Sequence, residues 1–314
     1  MKKMAYGILL MILLAGSACG PVEIDENVSI PKADIVYQAI NYQTESDVPS
    51  NNLVGFVNAD GSDNVKIKLD YRPYTPVVSR EWGGIVFRFN AGNPPSLDES
   101  VGPIYFLKSQ GTGRVCDQSY YESFFFPMRG ENSVLVFGSD WIGLVDIGTC
   151  KVVKTLIKIS DQVPWVKYIG SATPSDSGNK VIFYEFFDSP VQPDKIYIID
   201  VDTGKMNEVL EGGHNPSLSP DEKRIAYISS NGIYIANANG TGIKLLVPIT
   251  ISDELYKGLD PHPFWSPDGT TLIYHKCHNT VCKNVSDFSI YKVNVNTGLE
   301  AKIVDGGLYP TWIK

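Results

Sequence analysis

The chain has 314 residues, 43% of them hydrophobic, enough to bury a large core in one domain, and a net charge of −8. Removing Lys2 and Lys3 with a leader leaves 25 bases against 35 acids, or −10. Such a surface repels nucleic acid, which needs clustered Lys and Arg, and it argues equally against a polybasic membrane contact.

Lys2 and Lys3 precede an apolar run from Met4 to Leu14, then Ala15-Gly16-Ser17-Ala18 and Cys19. Charged region, short apolar region and small-residue cleavage site are the order of a signal peptide. The run is too short to span a membrane, which takes about 20 apolar residues. Cys19 after Gly16-Ser17-Ala18 resembles a bacterial lipoprotein signal, although Gly16 stands where that motif usually has Leu. The resemblance implies lipidation of Cys19 and a membrane-anchored domain on the periplasmic or cell-surface side. Ordinary cleavage to a soluble secreted protein is the alternative. Residues 20–32 are polar, contain Pro and carry Glu23, Asp25 and Glu26, as suits a flexible tether or a plain terminus. A single domain is expected over 33–314.

Within that domain, 35–41, 53–58 and 65–69 read as three strands lacking a first. Further units of four strands follow at 74–117, 124–159, 164–210, 214–247 and 262–304. The last two repeat one another: Asn215-Pro216-Ser217-Leu218-Ser219-Pro220-Asp221 against His262-Pro263-Phe264-Trp265-Ser266-Pro267-Asp268-Gly269, each followed by a β-branched and aromatic run. Pro fixes φ, Asp bonds nearby backbone N–H groups, and Gly takes positive φ, so Ser-Pro-Asp-Gly between apolar runs is a turn. A second turn family ends in Gly61, Gly111, Gly148, Gly204, Gly240 and Gly298, spaced by roughly 36 to 58 residues. The chain ends Tyr309-Pro310-Thr311-Trp312-Ile313-Lys314, which matches only the first strand of a unit. That strand is expected to complete the N-terminal unit and so remove two exposed sheet edges.

The Ser-Pro-Asp-Gly turn, the Ile-Tyr strands and the Gly-terminated hairpins resemble the repeats of TolB-type β-propellers, a WD40-like class. The likeness is strongest over 164–314. It implies an all-β, six-bladed propeller of four-stranded blades, its ring closed by the C-terminal strand. Blade four departs from the pattern, with Thr173-Pro174-Ser175-Asp176-Ser177-Gly178 read as two residues longer than its counterparts, and blades two and three lack the Ser-Pro-Asp turn.

Beyond Cys19 four cysteines remain, an even number that invites pairing in an exported chain. Cys277 and Cys282 flank a short insertion and are candidates for a local bridge. Cys116 and Cys150, near the last hairpins of consecutive units, are candidates for a second. A zinc site from Cys277, Cys282, His275 and His278 is the alternative, but it lacks the usual ligand spacing.

No Gly-x-Ser-x-Gly elbow, His-Glu-x-x-His, phosphate loop or dinucleotide fingerprint occurs in the sequence. No catalytic residue, metal or cofactor is therefore assigned. The first strand of each blade lines the channel of a propeller, so His214, Asn215, Asp260, His262 and Tyr309 are the candidate ligand-binding group at one channel mouth. Asp221 and Asp268 recur at a turn and read as backbone-bonding residues. Trp265 and Trp312 read as packing between blades. Phe186, Phe187, Tyr120, Tyr121 and Phe124 to Phe126 are interaction candidates, with burial the competing role. Two functions follow. One is a monomeric, non-enzymatic scaffold that binds a protein or envelope partner; the TolB resemblance implies that a partner's peptide enters the channel. The other is a carbohydrate-binding protein or polysaccharide-degrading enzyme using the His/Asp group.

Overall fold

The computed structural model describes residues 22–24, 30–39, 53–69, 73–79, 83–89, 101–108, 113–121, 126–128, 132–138, 140–158, 168–187, 193–229, 231–249, 261–277 and 287–313. The leader and Cys19 lie outside these residues. After strand β1 (Val22–Ile24) come β2 (Ile35–Ala39), β3 (Leu53–Val57) and β4 (Val65–Lys68). Next are β5 (Pro73–Ser79), β6 (Gly84–Phe89), β7 (Val101–Lys108) and β8 (Gly113–Tyr121), then β9 (Phe126–Pro127), β10 (Ser133–Phe137), β11 (Trp141–Asp146) and β12 (Lys151–Lys158). A fourth set is β13 (Tyr168–Pro174), β14 (Lys180–Phe186), β15 (Lys195–Asp200) and β16 (Met206–Glu211). A fifth is β17 (His214–Leu218), β18 (Arg224–Ser229), β19 (Gly232–Asn237) and β20 (Lys244–Pro248). The last are β21 (Phe264–Trp265), β22 (Thr271–Cys277), β23 (Phe288–Asn294), β24 (Glu300–Asp305) and the C-terminal β25 (Gly307–Trp312).

These strands form antiparallel meanders that fall where the repeats place them. Five sheets have four strands each, and β25 pairs with β2, with Ile35 opposite Trp312. The sheet over 73–121 differs. It has five strands, because β1 adds to the outer edge of β8 with Val22 opposite Val115. Part of the stretch expected to be a tether is therefore a strand.

The Ser-Pro-Asp turns close as their chemistry dictates. Ser219 N–H donates to the Arg224 carbonyl (2.9 Å) and Ser266 N–H to that of Thr271 (2.7 Å). The Ser219 and Ser266 hydroxyls donate to Asp221 (2.6 Å) and Asp268 (2.5 Å), whose carboxylates also accept from the N–H groups of Lys223 and Thr270. Gly269 takes φ +68°, and where the other turn lacks Gly, Glu222 takes φ +56°. The turn in the fourth set, between β13 and β14, is not two residues longer. Ser175 N–H closes on the Lys180 carbonyl over the same five-residue span (2.8 Å), with Pro174 ending the strand and Ser177 Oγ accepting from Asn179 N–H in the role of Asp. Met128 and Ser133 make the equivalent bond with no Ser-Pro-Asp at all (2.9 Å).

The core lies between sheets rather than within one. Ala226, Ile228 and Ile233 pack on Trp265, Leu272 and Tyr274 of the next sheet. Ile35, Tyr37 and Val57 pack on Ile273, Ile290 and Trp312, joining the N-terminal strands to the last full sheet. Burying such side chains is worth about 1.5–3 kcal/mol each, so the sheets hold one another.

Candidate functional site

The first strands of four units carry a register shift near their start: between Tyr74 and Val77, Ile169 and Ser171, His214 and Ser217, and in the β2–β25 ladder opposite Leu308 and Thr311. Asn215 and Tyr309 sit at these bulges with φ of 49° and 48°, each directly before a proline. A left-handed residue there swings the chain and exposes the proline carbonyl. Hydroxyls of the preceding unit's first strand reach the proline carbonyl at this repeat position, including that of Pro263, which follows no left-handed residue. Thr173 Oγ1 donates to Pro216 O (3.0 Å), Ser217 Oγ to Pro263 O (2.5 Å) and Thr311 Oγ1 to Pro76 O (3.2 Å). Indole N–H groups reach back the other way, Trp265 to Ser217 O and Trp312 to Phe264 O, both at 3.2 Å. Trp265 and Trp312 thus join neighbouring units, as the repeat predicts.

The expected mouth group is only partly assembled. Asp260 lies outside the described residues. His262 is fully buried and its ring stacks on Phe264 with centroids 4.5 Å apart. Burial pushes His262 down to about 3, opposed by a hydrogen bond to the Pro216 backbone and aided slightly by His275 and His214. His214 packs near Tyr184 at 6.0 Å, and burial pushes it down to about 4. Asn215 Nδ2 donates to the Pro261 carbonyl (3.2 Å). Tyr309 N–H donates to Nδ1 of His275 (3.3 Å), and their rings meet edge to face at 5.0 Å. Three imidazoles and two bulge residues are therefore held in packing, and no group of three or more His, Cys, Asp or Glu that could hold a metal occurs among the described residues.

The open space lies elsewhere. A cavity of roughly 470 Å³ is lined by β5, β9, β13, β17, β21 and β25, or by residues directly following them. Its walls include Met128, Leu218, Trp265 and Trp312, with Asp176 and Pro267 on the Ser-Pro-Asp turns. Of the expected mouth group, none of the four described residues, His214, Asn215, His262 and Tyr309, lines it. Strand β17 runs from His214 to Leu218, about 13 Å at strand rise, so the histidines and the cavity mark opposite ends of one axis. Between them Phe126 and Phe264, from different sheets, meet with centroids 5.7 Å apart, and His262 backs Phe264. The rings form a floor. Phe126 was an interaction candidate in the sequence, but its meeting with Phe264 was not foreseen, because its unit has no motif. Phe264 had a usable signal, since it replaces Ser217 and Thr311 at one repeat position. Of the other aromatic candidates, Phe187 is buried, and the side chains of Tyr120 and Tyr121 lie outside the description with Phe124 and Phe125.

Inner strands from every sheet around one axis define the architecture, and solved structures share it. TolB from Acinetobacter baumannii superposes with TM-score 0.65 at 18% identity, covering 89% of this chain and 66% of that one. The fold is a TolB-like β-propeller. A protein described as putative TolB from Agrobacterium tumefaciens gives TM-score 0.53 at 14% identity, covering 79% of this chain and 92% of the other. The chain thus spans just under two-thirds of the Acinetobacter protein. No family model matches the sequence, and no curated protein does. At these identities the likeness is one of fold.

Proposed function

We propose that this chain is a non-enzymatic, extracytoplasmic interaction scaffold: a monomeric six-bladed propeller, closed by β25 on β2 and tethered to a membrane through a lipid on Cys19. An extended segment of a protein or envelope partner enters the cavity from the Ser-Pro-Asp end. The observation that carries this reading is the cavity lined by Trp265, Trp312 and Leu218 together with Phe126, Phe264 and Asp176. Such a site suits apolar side chains on a short polar backbone, since apolar walls with few polar groups are the usual make-up of a ligand pocket. The imidazoles lie behind the floor and are held neutral by burial, so they cannot act on a ligand in the cavity.

Closure is supported by the β2–β25 register and by the Thr311 hydroxyl reaching Pro76 in the neighbouring sheet. Export is supported by the order of the leader and by the disulfide-bonded sulfurs of Cys150 and Cys277. We assign their partners as Cys116 and Cys282. Cys150 packs with Val86 and Phe106 across the junction to the sheet that holds Cys116. A disulfide at Cys277 also removes the thiolate that a zinc site would need.

A photo-crosslinking amino acid at Asp176, on the cavity rim, is expected to give one dominant adduct in intact cells. The same probe at Glu211, at the far end of its sheet, should give none. Filling the cavity with Ser217→Trp should abolish the Asp176 adduct. Equal adducts from both probes, or survival in the filled variant, would sink the reading.

A further inference from the structure

Among the described residues one outer edge is treated differently from the rest. Strands β4, β12, β16, β20 and β24 end their sheets, whereas β8 is covered by β1. The register pairs Val22 with Val115, Glu23 with Arg114 and Ile24 with Gly113. Only two residues, Gly20 and Pro21, separate Cys19 from this strand.

We infer that β1 is an anchor strand, which holds the rim of the 73–121 sheet against a lipid surface and so sets the whole propeller edge-on to the membrane. This rests on lipidation of Cys19 under the proposed function. Three residue steps reach at most about 10 Å, so a lipidated Cys19 keeps the rim within that distance of the bilayer. A free tether over 20–32 would span several times that length and fix no orientation. The register adds the direction. The ladder lies along the outer side of β8, with Val22 opposite Val115. The anchor meets the rim of the sheet and not the channel axis. Both mouths therefore open sideways, parallel to the membrane, and the Ser-Pro-Asp cavity stays clear of the lipid for a partner arriving along the surface. Covering β8 also removes its unpaired N–H and C=O groups from the reach of other chains.

The test uses the full lipidated protein in phosphatidylcholine vesicles carrying an acceptor dye at the headgroups. Donor dyes go singly on Lys151→Cys, in the outer strand of the adjacent sheet, and on Asn239→Cys, in the hairpin of a sheet across the molecule. Energy transfer is expected to be several-fold stronger from position 151. A long Gly-Ser insertion between Gly20 and Pro21 should bring the two signals together. Equal transfer without the insertion, in protein whose lipid is verified by mass, overturns the inference. Amide exchange over 113–115, read on the same protein in detergent, should be slow and should quicken in Glu23→Pro. Fast exchange in the unaltered protein overturns the docked strand. Absence of lipid by mass overturns the tether and this inference with it, while slow exchange would then leave β1 as an edge cover only.

Discussion

At the Ser-Pro-Asp end of the propeller the connections are short and alike: 175–179, 219–223 and 266–270 within the inner hairpins, 201–205 and 295–299 within the outer ones. At the other end the links 40–52, 90–100, 159–167 and 249–263 are long and share no pattern. The open cavity belongs to the regular end, and the buried histidines lie toward the irregular one. Repetition and ligand space thus coincide here, because tight turns leave the axis uncovered. The difference also divides the electrostatics. Hydroxyl and backbone N–H donors hold Asp221 and Asp268 below the usual carboxylate range, whereas burial holds His214 and His262 below the usual imidazole range.

The largest effect should come from the regular end. Trp265 is 3% exposed, bonds Ser217 O, and carries the Arg224 guanidinium 4.7 Å above its ring. Trp265→Ala removes all three interactions and is expected to cost about 3–5 kcal/mol, the range for large aromatic truncations. Tyr309→Ala, at the other end, loses one edge-to-face contact and should cost about 1 kcal/mol. Urea midpoints for the two variants check this, and similar losses would break the division between the ends.

Acid separates the ends by pH. A histidine whose folded pKa is lowered binds its proton more readily when unfolded, so stability falls as pH drops below the unfolded value near 6.5 and goes on falling to about 4 for His214 and about 3 for His262. By pH 5 each ring should have cost roughly 2 kcal/mol, at 1.36 kcal/mol per pKa unit. The carboxylates work lower. With folded pKa values below 3.8, Asp221 and Asp268 contribute above that pH and lose their contribution only beneath it. His262→Phe keeps the stack on Phe264 and should roughly halve the slope of the denaturation profile between pH 6.5 and 4, the rest being due to His214, while leaving the loss below 3.8. An unchanged upper limb would show that the buried imidazole is not its source.

The division between ends also explains what could be read from sequence. Ser-Pro-Asp and Gly-terminated turns are local chemistry, so the sheets over 168–248 and 264–305 fall within a few residues of expectation. Asn215 and Tyr309 were legible as channel-strand residues but not as left-handed bulges, because a residue before proline ordinarily favours extended backbone. The floor was illegible. It needs Phe126 and Phe264, 138 positions apart, to meet across the axis, and no periodicity encodes that contact. Likewise β1 is three polar-flanked residues whose strand character comes from the edge it meets.

Glycine substitutions sharpen the picture within the regular end. Gly204 and Gly240 take φ of +69° and +81° in equivalent hairpins. A Cβ at Gly204 would meet nothing within 4 Å, whereas at Gly240 it would lie 2.0 Å from the Val209 carbonyl of the neighbouring sheet. Gly204→Ala should cost about 1 kcal/mol for left-handed backbone alone, and Gly240→Ala should cost more because the sheets must part. Thermal midpoints that match would mean that the hairpins are not in contact where neighbouring sheets join.

The smallest effect tests the bulge. Ser217 Oγ donates to Pro263 O at 2.5 Å in a buried setting, the equivalent of the bond that Thr173 makes to Pro216 beside the Asn215 bulge. Ser217→Ala deletes the donor and leaves the acceptor buried, a loss of about 1 kcal/mol. Thr173→Ala removes the equivalent bond to Pro216 one unit earlier and should cost about the same, since threonine's extra methyl adds little beside the lost donor. Pro216, the acceptor of one latch, is joined directly to Ser217, the donor of the next, so the pair forms a double-mutant cycle whose reference is the sum of the single losses. A double loss well above that sum would mean that the bulges shift together, so that the inner strands move as one collar around the cavity rather than as independent blades.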